Sequence, residues 1–243
     1  MVEEVLVSKG LTKRFGGIVA LRSVDFKVYR GEVVGVIGPN GAGKTTLVNC
    51  ITGVYKPDEG RVHFEGLDIT GLPPHSIAVL GIARTWQKIR PFYEMTPLEA
   101  VTVGALLRTK DISQARRIAL ETLELVGFPQ RKYHTPGRNL TLMEHKLVDL
   151  ARALATKPRL LFIDEIIAGL RPQEIPTIVR LIKKVNQEEG VTMVIIEHVV
   201  RFIAEVSQRV VAIHEGRIIA EGSVEEVLNN PVVVEAYLGS KPG

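Results

Sequence analysis

The chain has 243 residues, 45% of them hydrophobic, which is enough apolar material for one large domain or two closely packed lobes. Lysine and arginine total 31 against 27 aspartate and glutamate residues, and this formal charge of +4, without runs or tails, does not indicate a nucleic-acid binder. The longest apolar stretch is interrupted by Glu197 and His198, so none reaches the roughly 18 residues that a membrane span needs.

The N-terminal segment is acidic and short of apolar residues, so we do not expect it to be a signal peptide. The single cysteine, Cys50, fits a reducing compartment. Because Cys50 shares a helical face with Leu47 and Ile51, we interpret it as a small core residue.

The first third of the chain predicts strands around one glycine-rich loop. Two segments rich in β-branched residues and broken by glycines, residues 5–17 and 24–38, predict short strands, some of them paired with each other. Within them, residues 33–37 are almost wholly apolar, as in a strand buried on both faces. After the loop we expect a helix over residues 44–52 and a strand pair or edge strand over residues 61–70.

The rest of the chain predicts a helical insertion and then alternating strands and helices. The insertion, from about residue 87 to residue 158, carries helical patterns at residues 97–107, 113–126 and 143–155. Buried strands are predicted at residues 160–163, 191–196 and 210–213, with a helix near residues 174–188. This alternation favours a mainly parallel sheet. A hairpin around Glu215 and Gly216 and a helix with a capping box from Ser223 to Glu226 follow.

The strongest signal is GPNGAGKTT, which matches G-x-x-x-x-G-K-[ST] and lies between a buried strand and a helix, as that motif requires. Glycines let backbone N–H groups surround phosphates, and the helix adds a favourable dipole. We expect Lys44 to reach the β- and γ-phosphates and Thr45 to bind Mg²⁺. An ordinary glycine-rich turn would not explain the flanking strand and helix. The predicted nucleotide-binding residues of the loop are Gly38, Pro39, Asn40, Gly41, Ala42, Gly43, Lys44, Thr45 and Thr46.

RLLFIDE, at residues 159–165, is an apolar strand that ends in two carboxylates. Because parallel strands deliver their last side chains to the ligand crevice, Asp164 is predicted to hold the Mg²⁺ shell. Glu165 is placed to orient or deprotonate an attacking water. Alone, the pair could equally cap the strand, and the phosphate loop is what favours the catalytic interpretation.

Two single residues gain meaning only from these motifs. His198 follows another buried strand and could hydrogen-bond the γ-phosphate, although a lone histidine is more often structural. Gln87, directly after Trp86, could reach Mg²⁺ or the water, although a loop glutamine by itself indicates nothing.

These motifs in this order, from about Leu6 to Leu238, resemble the nucleotide-binding subunits of ABC transporters. By this resemblance the loop at residues 38–46 matches Walker A and Phe15 the aromatic residue that stacks on adenine. Gln87 matches the Q-loop and His198 the switch histidine.

The resemblance also implies the cofactors and the fold. The cofactors are ATP and Mg²⁺, with Thr45, Gln87 and Asp164 at the metal and Glu165 as the Walker B catalytic base. The implied α/β fold is a P-loop NTPase core with a mainly parallel sheet, an antiparallel β subdomain and an inserted helical lobe. One nucleotide-binding domain would span residues 1–243, with a core lobe of residues 1–87 and 159–243 and a helical lobe of residues 88–158.

The C-terminal wording NNPVVVEAYLG looks like the branched-chain amino acid importer subgroup, and the related lipopolysaccharide-export ATPases end similarly. The resemblance therefore implies a cytoplasmic ATPase on the membrane face that docks on permease subunits and serves a solute-binding protein indirectly. No nucleic-acid partner is expected. Phe92, Tyr93 and Met95 are candidates for the permease contact, or equally for lobe core.

The chain departs from the family at the signature motif. Where the family usually has Leu-Ser-Gly-Gly-Gln, this chain has Leu140 followed by Thr141, Leu142, Met143 and Glu144. In the family, two such domains stack head to tail, and each signature faces the partner's ATP. We therefore expect a well-capped helix but a poor contact across the dimer, and pairing with a different ATPase subunit, although a homodimer stays open.

The competing hypotheses are a non-transport ABC ATPase, a P-loop kinase or GTPase, and a weakly active regulatory subunit. The first would need a coiled coil, a second cassette or a basic arm, and the sequence has none of these. A kinase would need a lid and an acceptor site, and a GTPase an N-K-x-D-like base reader; no such reader is found, and ARALA followed by LLFIDE argues against both. Glu165 argues against an idle regulatory subunit. Neither the solute nor the direction of transport follows from the sequence, although the subgroup resemblance favours import.

Overall fold

The computed structural model of the protein describes residues 3–86 and 92–238, so Gln87 lies outside the described residues. The strands, in chain order, are β1 (Glu4–Phe15), β2 (Ile18–Tyr29), β3 (Val33–Ile37), β4 (Glu59–Phe64), β5 (Leu67–Asp68), β6 (Ile82–Arg84), β7 (Leu160–Asp164), β8 (Thr192–Ile196), β9 (Arg209–His214) and β10 (Arg217–Gly222). The helices are α1 (Lys44–Ile51), α2 (Pro74–Leu80), α3 (Pro97–Ala105), α4 (Ile112–Leu125), α5 (Leu142–Ala155), α6 (Ile175–Glu189), α7 (Val200–Val206), α8 (Val224–Leu228) and α9 (Pro231–Leu238). In the described part of the chain, none of these helices has the length and apolar character that crossing a bilayer requires.

The chain divides into two compact units, one of Met1–Ile77 with Thr192–Gly243 and the other of Ala78–Val191. The lobe boundaries that the sequence predicts, before residue 88 and after residue 158, both fall inside the second unit. The helical lobe thus shares its unit with β6, β7 and α6. The assignment of two lobes at those boundaries remains a prediction.

The first unit contains an antiparallel sheet and a mainly parallel one. The antiparallel sheet has the strand order β2-β1-β4-β5. In the other sheet, β3 runs parallel to both β8 and β9, and β10 continues it as the antiparallel arm of the predicted hairpin. Every residue of β3 is buried, as its apolar sequence predicts for a strand covered on both faces.

The prediction that β1 and β2 are short strands was wrong, because each runs for 12 residues. The glycine that we interpreted as a break, Gly10, is absorbed by irregularities in the β1–β2 pairing on either side of Leu11. Gly10 has a φ of +62°, and its N–H donates a hydrogen bond of 2.6 Å to Asp25 Oδ1 across the pair. The glycine bends the strand without ending it.

The second unit combines a pair of parallel strands with a bundle of helices. β6 pairs with β7 in parallel, with Ile82 opposite Leu160. Helices α3, α4 and α5 pack against one another. Helices α3 and α5 approach closely at Gly104 of α3, where a Cβ would lie 2.4 Å from the carbonyl oxygen of Arg152 on α5. These elements confirm the predicted α/β class, with its parallel and antiparallel strands and its helical lobe.

Local sequence signals set several helix starts. The predicted capping boxes at Thr141 with Glu144 and at Ser223 with Glu226 are both confirmed, at the starts of α5 and α8. A third box begins α3, where Thr96 caps and Glu99 reaches back. This box has the same spacing in the sequence as the other two, but it was not among the predictions.

Cys50 is a core residue, as predicted, with 1% of its surface exposed. Burial raises the pKa of its thiol to about 11. Because the thiolate is the reactive form, we expect iodoacetamide at pH 8 to alkylate Cys50 roughly 100-fold more slowly in the native protein than in the unfolded chain. Mass spectrometry of timed samples, with and without denaturant, measures this ratio; equal rates would place Cys50 outside the core.

Candidate functional site

The loop between β3 and α1 has the backbone geometry of a phosphate cradle. Gly41 and Gly43 have φ values of +79° and +108°, which side-chain-bearing residues rarely adopt. A Cβ on Gly38 would lie 2.1 Å from the carbonyl oxygen of Ile213, and one on Gly43 would lie 2.7 Å from that of Ala20. The sequence therefore needs glycine at these positions for the loop to close on its own unit.

Lys44 lies inside this loop. Its Nζ donates hydrogen bonds to the carbonyl oxygens of Gly38 at 2.7 Å and Pro39 at 3.0 Å, and only 5% of the residue is exposed. No side chain caps the start of α1, so the helix dipole and the first N–H groups face the loop. Thr45 is exposed beside it. Together these groups form a positive site for an anion such as a polyphosphate.

Phe15 ends β1 with 42% of its surface exposed. Tyr55 meets it edge to face at 5.1 Å between ring centroids, and the Lys13 ammonium lies 5.5 Å from its ring. An exposed aromatic ring held by a second ring suits stacking on a flat base. The sequence analysis missed Tyr55, which carries no motif signal of its own.

The structure places His198 at the same edge of a sheet as the phosphate loop. β8 runs parallel to β3, with Ile196 opposite Val36, so both strands end at one edge. The loop leaves β3 there, and His198 follows β8 by two residues. His198 is exposed, and its backbone N–H donates to Oε2 of the buried Glu197 at 3.3 Å. This is the edge at which ligands bind in parallel sheets.

In the second unit, β7 delivers the two predicted carboxylates. Asp164 is 2% exposed, and its Oδ2 accepts a hydrogen bond of 2.9 Å from Nη2 of Arg84. Glu165 is half-buried and has a left-handed φ of +49°. Its carbonyl oxygen accepts a 2.8 Å hydrogen bond from Nζ of the buried Lys146 on α5. Lys146 thus fixes the strained backbone next to Asp164.

Two residues that flank the undescribed segment 87–91 contact α5. The Trp86 N–H donates to Oδ2 of the buried Asp149 at 3.4 Å. The Arg152 guanidinium donates to Oδ1 of Asp149 and lies 5.1 Å from the ring centroid of Phe92. Trp86 and Phe92 were predicted from the sequence to lie near the site, but Arg84, Lys146 and Asp149 were not, because nothing in the sequence shows which residues these distant side chains meet.

The departures from the signature motif lie at the start of α5. Thr141 caps the helix and Glu144 closes the capping box. Glu144 also accepts two hydrogen bonds from Lys132 Nζ, at 2.6 and 2.9 Å. Burial by itself raises the pKa of the Glu144 carboxyl, but Lys132 and the Thr141 N–H together bring that pKa below its usual value. The ionised carboxylate of Glu144 therefore occupies the N-terminus of α5.

Bulky side chains stand where the family has glycine. Leu142 is 45% exposed at the first position of α5, and Met143 is half-buried beside it. Leu142 lies over Gly169, where a Cβ would be 2.9 Å from Leu142 Cδ2. The start of α5 therefore presents a branched apolar side chain instead of open backbone.

Comparison with known proteins decides the family. The sequence profile described as ABC transporter matches residues 21–168, and a second, described as branched-chain amino acid ATP-binding cassette transporter, matches residues 217–241. The chain belongs to the ABC transporter ATP-binding family. Both predictions of resemblance, to the family and to its branched-chain amino acid subgroup, are thereby confirmed.

Individual members of this ABC family match almost end to end. The high-affinity branched-chain amino acid transport ATP-binding protein BraF of Pseudomonas aeruginosa is 38% identical, over 98% of this chain and 99% of its own. The ADP conformation of MJ1267, an ATP-binding cassette of an ABC transporter, is 34% identical with a TM-score of 0.86, covering 98% of this chain and 99% of that one. A dimeric post-hydrolysis state of the cassette MJ0796, bound to ADP and Pi, is 26% identical with a TM-score of 0.81, covering 90% and 98%.

As a member of the ABC family, the chain is a nucleotide-binding ATPase that serves a transporter. The first unit brings together the phosphate loop and His198, and the second brings together Asp164, Glu165 and the start of α5. The individual roles of these residues remain predictions.

Proposed function

We propose that this ATPase powers the import of branched-chain amino acids or similar small solutes across a membrane. The observation that carries the proposal is the 38% identity to BraF over almost the full length of both chains. The name of BraF assigns it to high-affinity branched-chain amino acid transport. The match of residues 217–241 to the branched-chain profile supports it independently, because this segment lies outside the general ABC match.

The proposed ATP site uses the groups described above. Phe15, supported by Tyr55, stacks on the adenine ring. The backbone N–H groups of residues 38–46 and the ammonium of Lys44 bind the phosphates. Lys44 already lies inside the loop, and it exchanges the carbonyl oxygens of Gly38 and Pro39 for phosphate oxygens when ATP enters.

The donor set fits Mg²⁺. The proposed ligands are the Thr45 hydroxyl, the Asp164 carboxylate and the Gln87 amide oxygen, all hard oxygen donors of the kind that Mg²⁺ prefers. Thr45 is exposed next to the phosphate loop, and Asp164 ends β7. When bound there, Mg²⁺ would neutralise the charge that develops on the phosphate oxygens during hydrolysis.

Glu165 is the proposed base. It orients the attacking water and accepts its proton, while His198, at the edge of the sheet beside the loop, hydrogen-bonds the γ-phosphate. Gln87 is the third residue proposed at the attacking water. Lys146 binds the Glu165 carbonyl oxygen and so supports the left-handed backbone from which the carboxylate projects.

We further propose that this ATPase pairs with a different ATP-binding subunit. Its own residues supply the Walker A and Walker B half of one ATP site, and the partner must supply an intact signature motif as the other half. Its own signature, with Leu142 and Met143 at the helix start and Glu144 as an anion within the box, serves the partner's site weakly. Both the bulk and the negative charge oppose the approach of a γ-phosphate.

The proposed membrane partner is a pair of permease subunits, which also give access to a solute-binding protein and hold this chain at the cytoplasmic face. Phe92 and Tyr93 are 47% and 57% exposed, and this exposure favours a contact surface over lobe core. Close by in the sequence, Met95 lines a groove with Val103 and Ile112, which are themselves 49% and 70% exposed. These exposed apolar side chains suit a docking helix of the permease.

A weakly active regulatory subunit is the second candidate, and the start of α5 is the observation that favours it. The two candidates differ in what the cis site does, since a weakly active regulatory subunit would bind ATP and hydrolyse it only slowly in any pairing.

The proposed function is tested by reconstitution in vesicles with permease subunits, a second ATPase subunit and a solute-binding protein. We expect ATP-dependent uptake of leucine that unlabelled valine and isoleucine inhibit. Lys44→Ala should abolish uptake and weaken ATP binding at least 10-fold, because it removes a charged hydrogen-bond donor from the phosphates. Lys183→Ala, at an exposed site on α6, is the matched control.

Uptake that persists with Lys44→Ala would contradict the assigned site. Uptake of another solute class with no competition from branched-chain amino acids would contradict the assigned cargo. ATP binding with only slow hydrolysis in every pairing would favour the regulatory candidate.

A further inference from the structure

The Asp164 carboxylate is engaged by a side chain that no ATP-binding motif includes. Arg84, at the end of β6, donates from Nη2 to Asp164 Oδ2 at 2.9 Å, and the two side chains are only 7% and 1% exposed. β6 and β7 run parallel, with Arg84 opposite Phe162, so the sheet itself brings the two side chains together. A fully desolvated ion pair of this kind is held in one geometry.

The same guanidinium lies on the ring of Trp86, with Cζ 4.5 Å from the ring centroid. Trp86 directly precedes segment 87–91, and its N–H donates to Asp149 on α5. Stacking fixes the plane of the guanidinium, and this plane decides which carboxylate oxygen it can reach. Three elements of the second unit, β6, β7 and α5, therefore meet around one arginine.

We propose that Arg84 is a positioning residue that holds the Asp164 carboxylate in the orientation required for Mg²⁺ and reports metal binding to Trp86. This inference rests on the proposed function, in which Asp164 serves the Mg²⁺ of a bound ATP. Arg84 touches neither substrate nor metal in this scheme; it acts through Asp164. Without Arg84, the buried Asp164 carboxylate would lose the charged hydrogen bond at Oδ2 that holds it toward β6.

Binding of ATP and binding of Mg²⁺ then separate experimentally. The phosphate loop and Lys44 bind ATP and do not include Arg84, so ATP affinity in EDTA should change less than twofold in Arg84→Gln. The Mg²⁺ concentration at which the Mg²⁺-dependent change in ATP binding is half complete should rise about 10-fold in Arg84→Gln. It should rise less in Arg84→Lys, which keeps the charge but not the planar fork.

Trp86 supplies a second measurement, because it is the single tryptophan of the chain. Adding Mg²⁺ to the ATP-bound protein should change the Trp86 emission of the wild type. In Arg84→Gln, that Mg²⁺-dependent change in emission should fall at least threefold, because the Trp86 ring no longer contacts a guanidinium that is bonded to the Asp164 carboxylate. Arg61→Gln, which breaks an exposed pair with Asp68, is the matched control and should behave as the wild type.

The experiment uses the full chain, with ATP, MgCl₂ and EDTA as the only additions, and checks folding by circular dichroism. Wild-type Mg²⁺ dependence that Arg84→Gln and Arg84→Lys both retain unchanged would overturn the positioning role. If Arg84→Gln does not fold, Arg84→Lys alone decides. Wild-type ATP binding that does not respond to Mg²⁺ would instead contradict the proposed function, so the two failures are distinguishable.

Discussion

Replacing Glu165 by glutamine is expected to lower ATP hydrolysis by about 10²–10⁴-fold, the contribution of a positioned general base. The substitution keeps the size of the side chain and its place after β7, and it removes only the carboxylate charge. The left-handed backbone at Glu165 is supported by Lys146 through the carbonyl oxygen, and the substitution leaves this contact in place. ATP binding should persist because the phosphate loop is untouched.

The rate is measured as phosphate release by this chain in a pair that hydrolyses ATP. Glu188→Gln, an exposed carboxylate on α6, is the matched control and should keep full activity. A Glu165→Gln protein that retains more than about a tenth of the rate would rule out a general-base role of the usual size.

The parts of this site that the sequence predicted well are local in the chain. The loop at residues 38–46 carries its glycines, its lysine and its flanking strand and helix within one short segment. The capping boxes of α5 and α8 are likewise complete within four residues. Buried strands such as β3 follow from their composition, since only a strand covered on both faces is apolar throughout.

The parts that the sequence did not predict depend on contacts between distant residues. Arg84 meets Asp164, 80 positions away, and Lys146 meets Glu165, 19 positions away. Neither pair has a spacing rule, because strand pairing and helix packing bring them together. The length of β1 was misjudged for a similar reason: Gly10 lies at an irregularity of the pairing with β2, where the distant Asp25 accepts its N–H.

The start of α5 decides whether this chain needs an unlike partner. We expect the purified chain alone to hydrolyse ATP slowly, because two copies would each present Leu142, Met143 and Glu144 to the other's γ-phosphate. Restoring the family pattern with Leu142→Gly, Met143→Gly and Glu144→Gln should raise the rate of the chain alone at least 10-fold, since one lost donor to a transition-state anion typically costs about 10²–10³-fold.

The restored signature is expected to destabilise α5, and this loss of stability must be separated from the gain in ATPase rate. Each glycine weakens a helix by up to about 1 kcal/mol, and Glu144→Gln removes the ion pair with Lys132. Leu120→Gly on the exposed side of α4 is the control for this loss, because it introduces a helix glycine away from the site. It should lower stability in the same way and leave the ATPase rate unchanged.

A mixed pair, of this chain with a different ATPase subunit, separates the role of its own ATP site from the role of its signature motif. With a partner that carries an intact signature, Glu165→Gln in this chain should remove most of the hydrolysis, because the site that faces the partner's signature hydrolyses most of the ATP. The restored signature acts only on the partner's own ATP site, so it should raise the rate of the mixed pair by no more than about twofold, against at least 10-fold for the chain alone. If the wild-type chain alone matches the rate of the mixed pair, Leu142 and Met143 do not hinder hydrolysis, and the unequal pair is the wrong description. If the restored signature raises the rate of the chain alone far more than that of the mixed pair, the asymmetry lies in these residues.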